Sequence, residues 1–169
     1  MLEEHAKLAE LIRQAGGISG RKRVQKVVYI LQKLGFAFHE SYHLQIHGPY
    51  SEELTLQMEE LCEFGFLLES ANPGNESVRY TLSESGTRFL NQHRDVLPDL
   101  SPIVRQLAAE KASFLELVAG LLYFETLPAD RIFEKICTLN KKAGHEQISN
   151  AKNYIESLKI NQAQILTVS

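Results

Sequence analysis

A chain of 169 residues and 19.1 kDa suffices for one ordinary domain or two small ones, and 44% hydrophobic with 23% charged residues excludes a disordered or collagenous class. Two cysteines, Cys62 and Cys137, are too few for a disulfide framework, MLEEHAKLAELIRQ lacks the basic patch and apolar run of a secretory signal, and no apolar run approaches a bilayer span, so a cytoplasmic protein is expected, with no membrane partner. A net charge of -3 exerts no overall pull towards nucleic acid, but residues 1–34 hold seven Lys/Arg against three Glu, whereas residues 35–64 hold six Glu and no Lys or Arg.

Leu2, Leu8, Leu11 and Ile12 at helical spacing predict a helix over 2–15, ended by Gly16-Gly17. Ser19 is placed to cap a second helix over 20–34. There Val24, Val27, Val28, Leu31 and Leu34 form an apolar stripe, and Lys22, Lys26, Tyr29 and Lys33 line the opposite face. Tyr42, Leu44 and Ile46 alternate with His43 and Gln45, which predicts a short half-buried strand broken by Gly48-Pro49. Ser51 is placed to cap a third helix over 52–64, with Glu52 and Glu53 in the first turn, where the helix dipole favours anions. Its core side is Leu54, Met58 and Leu61; its outer side carries Glu52, Glu59, Glu60 and Glu63.

A hairpin follows, in which FGFLLES and SVRYTLS flank a turn at 71–75 built on Pro73-Gly74. Ser83 then caps a short helix through Gly86, Phe89 and Leu90. After Pro98 one long helix is predicted over 101–125, nearly apolar all round near its end, as the central helix of a small bundle is. Helices over 128–141 and 145–159 are separated by Ala143-Gly144, and the last ten residues carry no clear signal.

Three helices and then a two-stranded hairpin is the layout of a winged helix-turn-helix, whose third helix enters the DNA major groove. The segment RYTLSESGTRFL is similar to the wing-closing motif Y-x-L-T-x-x-G of many such proteins: Tyr80, Leu82 and Gly86 match, and Ser83 stands where Thr is usual. The expected fold class is therefore α+β, mostly α, with a winged helix-turn-helix domain over 1–95, a C-terminal helical bundle over 98–160 and a tail over 161–169. The blocks GRKRVQKVVYILQKLGF (20–36) and HGPYSEELTLQMEEL (47–61) strongly resemble the YwgA family of uncharacterised bacterial proteins. More distantly, QKVVYI followed by GPYSEEL is similar to the Panacea-type antitoxin domains. That second resemblance implies protein recognition, as by an antitoxin or adaptor, and no chemistry.

Candidate binding residues form two sets. Arg21, Lys22, Arg23, Lys26, Tyr29 and Lys33 make a basic face that could touch phosphate or an acidic protein surface. It could equally be a solvated face pairing with glutamates, where each pair adds only about 0–1 kcal/mol. Tyr50, Glu52, Glu59, Glu60 and Glu63 make the acidic set, with Glu53 beside them. A helix entering a groove meets a dense phosphate field, and a third helix bearing these glutamates and no base should be repelled by it. Oppositely charged faces on neighbouring helices suit a protein partner, because complementary charge speeds encounter and fixes register. The expectation is thus a non-enzymatic regulatory or interaction module for a protein partner, with a DNA-binding transcriptional regulator as the alternative. Tyr29 and Tyr50 are candidate anchors, although Tyr50 could instead close over the core edge. Phe114, Leu117, Leu121 and Phe124 could support a homodimer or be buried within one chain.

His39, His43 and His47 recur every four residues, but the segment reads as a strand and no Cys or Asp completes a set, so no metal is expected. Gly16 to Lys22 fails as a phosphate loop: no strand precedes it, and Arg23 stands where Ser or Thr should hold magnesium. Cys62 and Cys137 lie in helical segments and read as buried structural thiols. With no nucleophile elbow, catalytic carboxylate pair or nucleotide fingerprint, neither an enzyme nor a cofactor is expected.

Overall fold

Leucines and alanines spaced three and four apart draw Glu3–Ala15 into helix α1 of the computed structural model, which describes residues 2–71 and 77–168. Gly16, at φ 72, ends α1 by returning its N–H to Arg13 O. Ser19 does not cap the next helix. Ile18–Ser19 forms a short strand, β1, and the helix starts from Gly20 at φ 93 with no side-chain cap. The backbone of Ser19 is taken into a ladder instead, opposite Arg79, and its carbonyl accepts from the Arg23 guanidinium.

Helix α2, Arg21–Lys33, is buried continuously from Val24 to Leu31. The expected half-buried strand is a small hairpin with one exposed arm and one buried: β2, His43–Gln45, is exposed and pairs antiparallel with β3, Gly48–Tyr50, which is buried at Gly48 and Pro49. Gly48-Pro49 therefore forms the returning strand rather than a break, and the core contact falls to Tyr42, whose ring meets Tyr29 edge-on at 4.8 Å. Helix α3, Glu52–Glu63, starts where Ser51 Oγ accepts the Leu54 N–H at 3.1 Å, and it buries Leu54, Met58 and Leu61 as the pattern predicts. Strands β4, Leu67–Ala71, and β5, Val78–Leu82, complete an antiparallel sheet in the order β1-β5-β4. Of the expected turn at 71–75, residues 72–75 lie outside the described residues.

Ser83 caps α4, Glu84–Asn91, by accepting the Gly86 N–H at 2.9 Å. A Cβ at Gly86 would stand 2.2 Å from Phe66 O, so only glycine lets this helix approach the sheet. The helix predicted over 101–125 is two, α5 (Ser101–Ala109) and α6 (Ala112–Tyr123), because Glu110 and Lys111 are extended at ψ 155 and 142. No Gly or Pro marks the break. α5 packs on α1 and α6 on α2, and Arg23 Nε donates to Glu110 O at 3.0 Å, satisfying a carbonyl that a continuous helix would have used.

Helix α7 spans Ala129–Leu139, and α8 spans His145–Val168, running well past residue 159. Gln162 of α8 donates to Leu34 O at 2.6 Å, and Leu158 is buried. One set of buried apolar side chains runs from α1 and α2 through α5 and α6 to α8. In it Leu117, Leu121 and Phe124 are buried, and Phe114 packs edge-on against Tyr154 at 5.0 Å. These four residues are thus used within the chain, with Phe114 half-buried. The architecture is α+β and mostly helical, and among the described residues no helix is long and apolar enough to cross a membrane.

Candidate functional site

The blocks 20–36 and 47–61 meet across a polar seam. Gln25 donates to Ser51 O at 2.8 Å and to Thr55 Oγ1 at 2.9 Å, and its Oε1 accepts the Ser51 N–H at 2.9 Å. Lys26, only 2% exposed, donates to Pro49 O at 2.6 Å. These bonds clamp β3 and the start of α3 onto α2, so the glutamine, the lysine and the GPYS segment form one structural joint. Burial lowers the Lys26 ammonium to about 8, with Glu116 opposing the shift and Lys22 adding to it.

The basic face is corrected by this geometry. Its angular alignment is as expected, but β3 and α6 cover the middle of that side, burying Lys26 and leaving Tyr29 5% exposed. The long apolar stem of lysine makes such burial affordable when its head finds a carbonyl. Lys33 pairs with Glu125 at 3.2 Å, and Arg23 is spent on Ser19 O and Glu110 O. Arg21 donates to Tyr80 Oη at 3.2 Å, and it and Lys22 remain exposed with no ion pair among the described residues.

The acidic set stays outside. Glu52, Glu59 and Glu63 are exposed on the outer side of α3, with Leu56 between them at 57% exposure. Glu60 is half-buried, 3.5 Å from His5 Nε2, and Phe64, at the end of the helix, is 48% exposed. Tyr50 is half-buried with its hydroxyl 2.8 Å from Thr55 Oγ1, fastening the turn before α3.

A cleft of about 200 Å³ lies between α2, β3, α3 and the β4–β5 hairpin. It brings Arg21, Lys22 and Lys26 of the basic set together with Tyr50 and Glu59 of the acidic set, over a floor of Val24, Leu54 and Met58. Arg23, Tyr29, Lys33, Glu52, Glu60 and Glu63 do not line it.

Sequence reasoning missed Glu40, which is 5% exposed. Gln32 clasps its backbone N–H at 2.9 Å and C=O at 3.0 Å. Burial, and then the neighbouring carboxyls of Glu53 and Glu4, hold its carboxyl well above the usual range, with Lys7 opposing. The available signal was its setting among Phe36, Phe38 and Tyr42. Cys62 and Cys137 are half-buried rather than buried, and burial pushes the Cys62 thiol up to about 11, which suppresses the reactive thiolate. His39, His43 and His47 are all exposed, and among the described residues no three His, Cys, Asp or Glu side chains converge on a metal-sized site.

No protein-family model matches the chain. It is 43% identical over 164 residues to a Bacillus subtilis (strain 168) protein described as "Uncharacterized protein YwgA", an alignment covering 94% of this chain and 98% of that one. Identity at this level along nearly the whole of both chains is a family relationship, and the chain belongs to the YwgA family.

Proposed function

We propose that this chain is a non-enzymatic, cytoplasmic interaction module of the winged-helix type that recognises a protein partner through the outer face of α3. The observation that carries this reading is the exposure of Leu56 among Glu52, Glu59 and Glu63, none of which is in an ion pair among the described residues. Such a face fits a partner segment with basic side chains around an apolar one: the charges speed encounter, and Leu56 with Phe64 supplies apolar area. The chain order α1, α2, α3 and then the β4–β5 hairpin, with β1 closing the sheet, supports the winged-helix reading. The distant resemblance to antitoxin-type protein binders points the same way. As a groove-reading element α3 would bring anions into a phosphate field, and of the basic set only Arg21 and Lys22 remain exposed and unpaired to release counterions.

The test is affinity capture from cell lysate with the native chain and with a triple variant, Glu52→Lys, Glu59→Lys and Glu63→Lys. The native chain is expected to retain a partner that the variant loses, with retention weakening as ionic strength rises from about 50 to 500 mM. A partner held equally by both chains would overturn the assignment of this face.

A further inference from the structure

The cleft has a feature that neither a partner-binding face nor a packed seam requires. Its floor is apolar, yet Lys26, a cation buried from solvent, is among the residues that line it. An ammonium carries three donors, and this one hydrogen-bonds Pro49 O and belongs to no ion pair among the described residues. Buried charges are ordinarily matched by an opposite charge, because the cost of desolvation is otherwise uncompensated.

The two carboxylates that line the cleft do not supply that match. Glu59 and Glu69 act on Arg21, which is held on Tyr80 Oη. The carboxylate that Lys26 feels is Glu116 of α6, which is not among the cleft's lining residues. Lys22 adds a second positive charge beside Lys26. One end of the cleft therefore holds two cations, neither in an ion pair among the described residues, and the floor beside it is apolar. The volume, about 200 Å³, falls below the roughly 300 Å³ at which drug-sized sites begin, which limits the occupant to about one ring.

We propose that this cleft binds a small organic anion, a carboxylate carried on an apolar body of about one ring, with Lys26 as its counter-ion and Val24, Leu54 and Met58 as its apolar contact. The site adjoins the partner-binding face at Glu59, but its counter-ion is Lys26 inside the seam, so charge reversal at Glu52 and Glu63, which do not line the cleft, tests that face separately.

Titration of the isotope-labelled chain with benzoate, benzamide and inorganic phosphate tests it, read at the amides of Gly48, Tyr50 and Thr55. Benzoate is expected to shift these amides with a Kd in the roughly millimolar range of so small a ligand. Benzamide, which lacks the charge, should bind about tenfold more weakly or worse, and phosphate, which lacks the ring, should also be weaker. Lys26→Met should bring benzoate down to benzamide. Should that variant fail to fold, the native chain with isotope-labelled lysine serves, and benzoate is then expected to raise the titration midpoint of Lys26. Equal binding of benzoate and benzamide, phosphate matching benzoate, an unchanged preference in Lys26→Met, a fixed Lys26 midpoint, or no shift at these amides up to about 20 mM benzoate would each overturn the proposal.

Discussion

Helices α2 and α3 carry charged stripes of similar length, but one is turned into the molecule and the other away from it. On α2 the stripe of Lys22, Lys26, Tyr29 and Lys33 runs under β3 and α6, so its middle is buried and only its ends reach solvent. On α3 the stripe of Glu52, Glu59 and Glu63 is exposed and forms no ion pair among the described residues. The difference lies in chemistry as much as topology. Lysine can bury an apolar stem and place its head on a carbonyl, as Lys26 does on Pro49, whereas burial of a short carboxylate favours its protonated form, as it does for Glu40 beside Glu53. A basic periodicity is therefore a weaker sign of a surface than an acidic one.

The sharpest way to break the contrast is to truncate α2 where it is fully inside. Leu31→Ala is expected to cost about 3 kcal/mol in urea unfolding, because the close-packed core around it leaves the cavity open. Gln25→Ala should cost about 2 kcal/mol, since it strands the Ser51 N–H inside the seam. A cost below about 0.5 kcal/mol for Gln25→Ala would show that the joint between α2 and α3 is ornamental.

Two of the buried ionisable groups, Glu40 and Lys26, should shape stability against pH in opposite directions, each by on the order of 1 kcal/mol. The folded state favours protonated Glu40, so its contribution is present below the ordinary value of 4.5 and is lost as pH rises above it. The folded state disfavours charged Lys26. Below about 8 both states are protonated and the burial cost is in full force; between about 8 and 10.5 the folded state sheds its proton first and stability climbs. Urea midpoints across this range should fall and then rise. Glu40→Gln should flatten the acid limb and Lys26→Met the alkaline one; a monotonic profile would contradict both assignments. At the small end, Glu59→Gln on the outer side of α3 is expected to change stability by less than about 0.5 kcal/mol, since it is exposed and its one charged neighbour, Arg21, is exposed too.

What the sequence made legible follows from how far each signal reaches. The caps at Ser51 and Ser83 need only a backbone N–H three residues on, and both form where expected. The inner and outer sides of α3 follow from helical period alone. The misses all depend on distant contacts. β1 exists because β5 lies beside it, the break at Glu110 is held by Arg23, and the far end of α8 is fastened by Gln162 on Leu34. Of the candidate site, Arg21, Lys22, Lys26, Tyr50 and Glu59 do come together, but Glu40 and the burial of Lys26 could not be read without knowing that β3 folds across α2.

The most direct test of the outward acidic face is titration of labelled duplex DNA at low salt, where even nonspecific phosphate binding should register. The native chain is expected to show no saturable binding, and the chain carrying Glu52→Lys, Glu59→Lys and Glu63→Lys to acquire it. Micromolar binding by the native chain, abolished by Lys22→Glu, would mean that α3 approaches phosphate after all and that a protein partner is the wrong target.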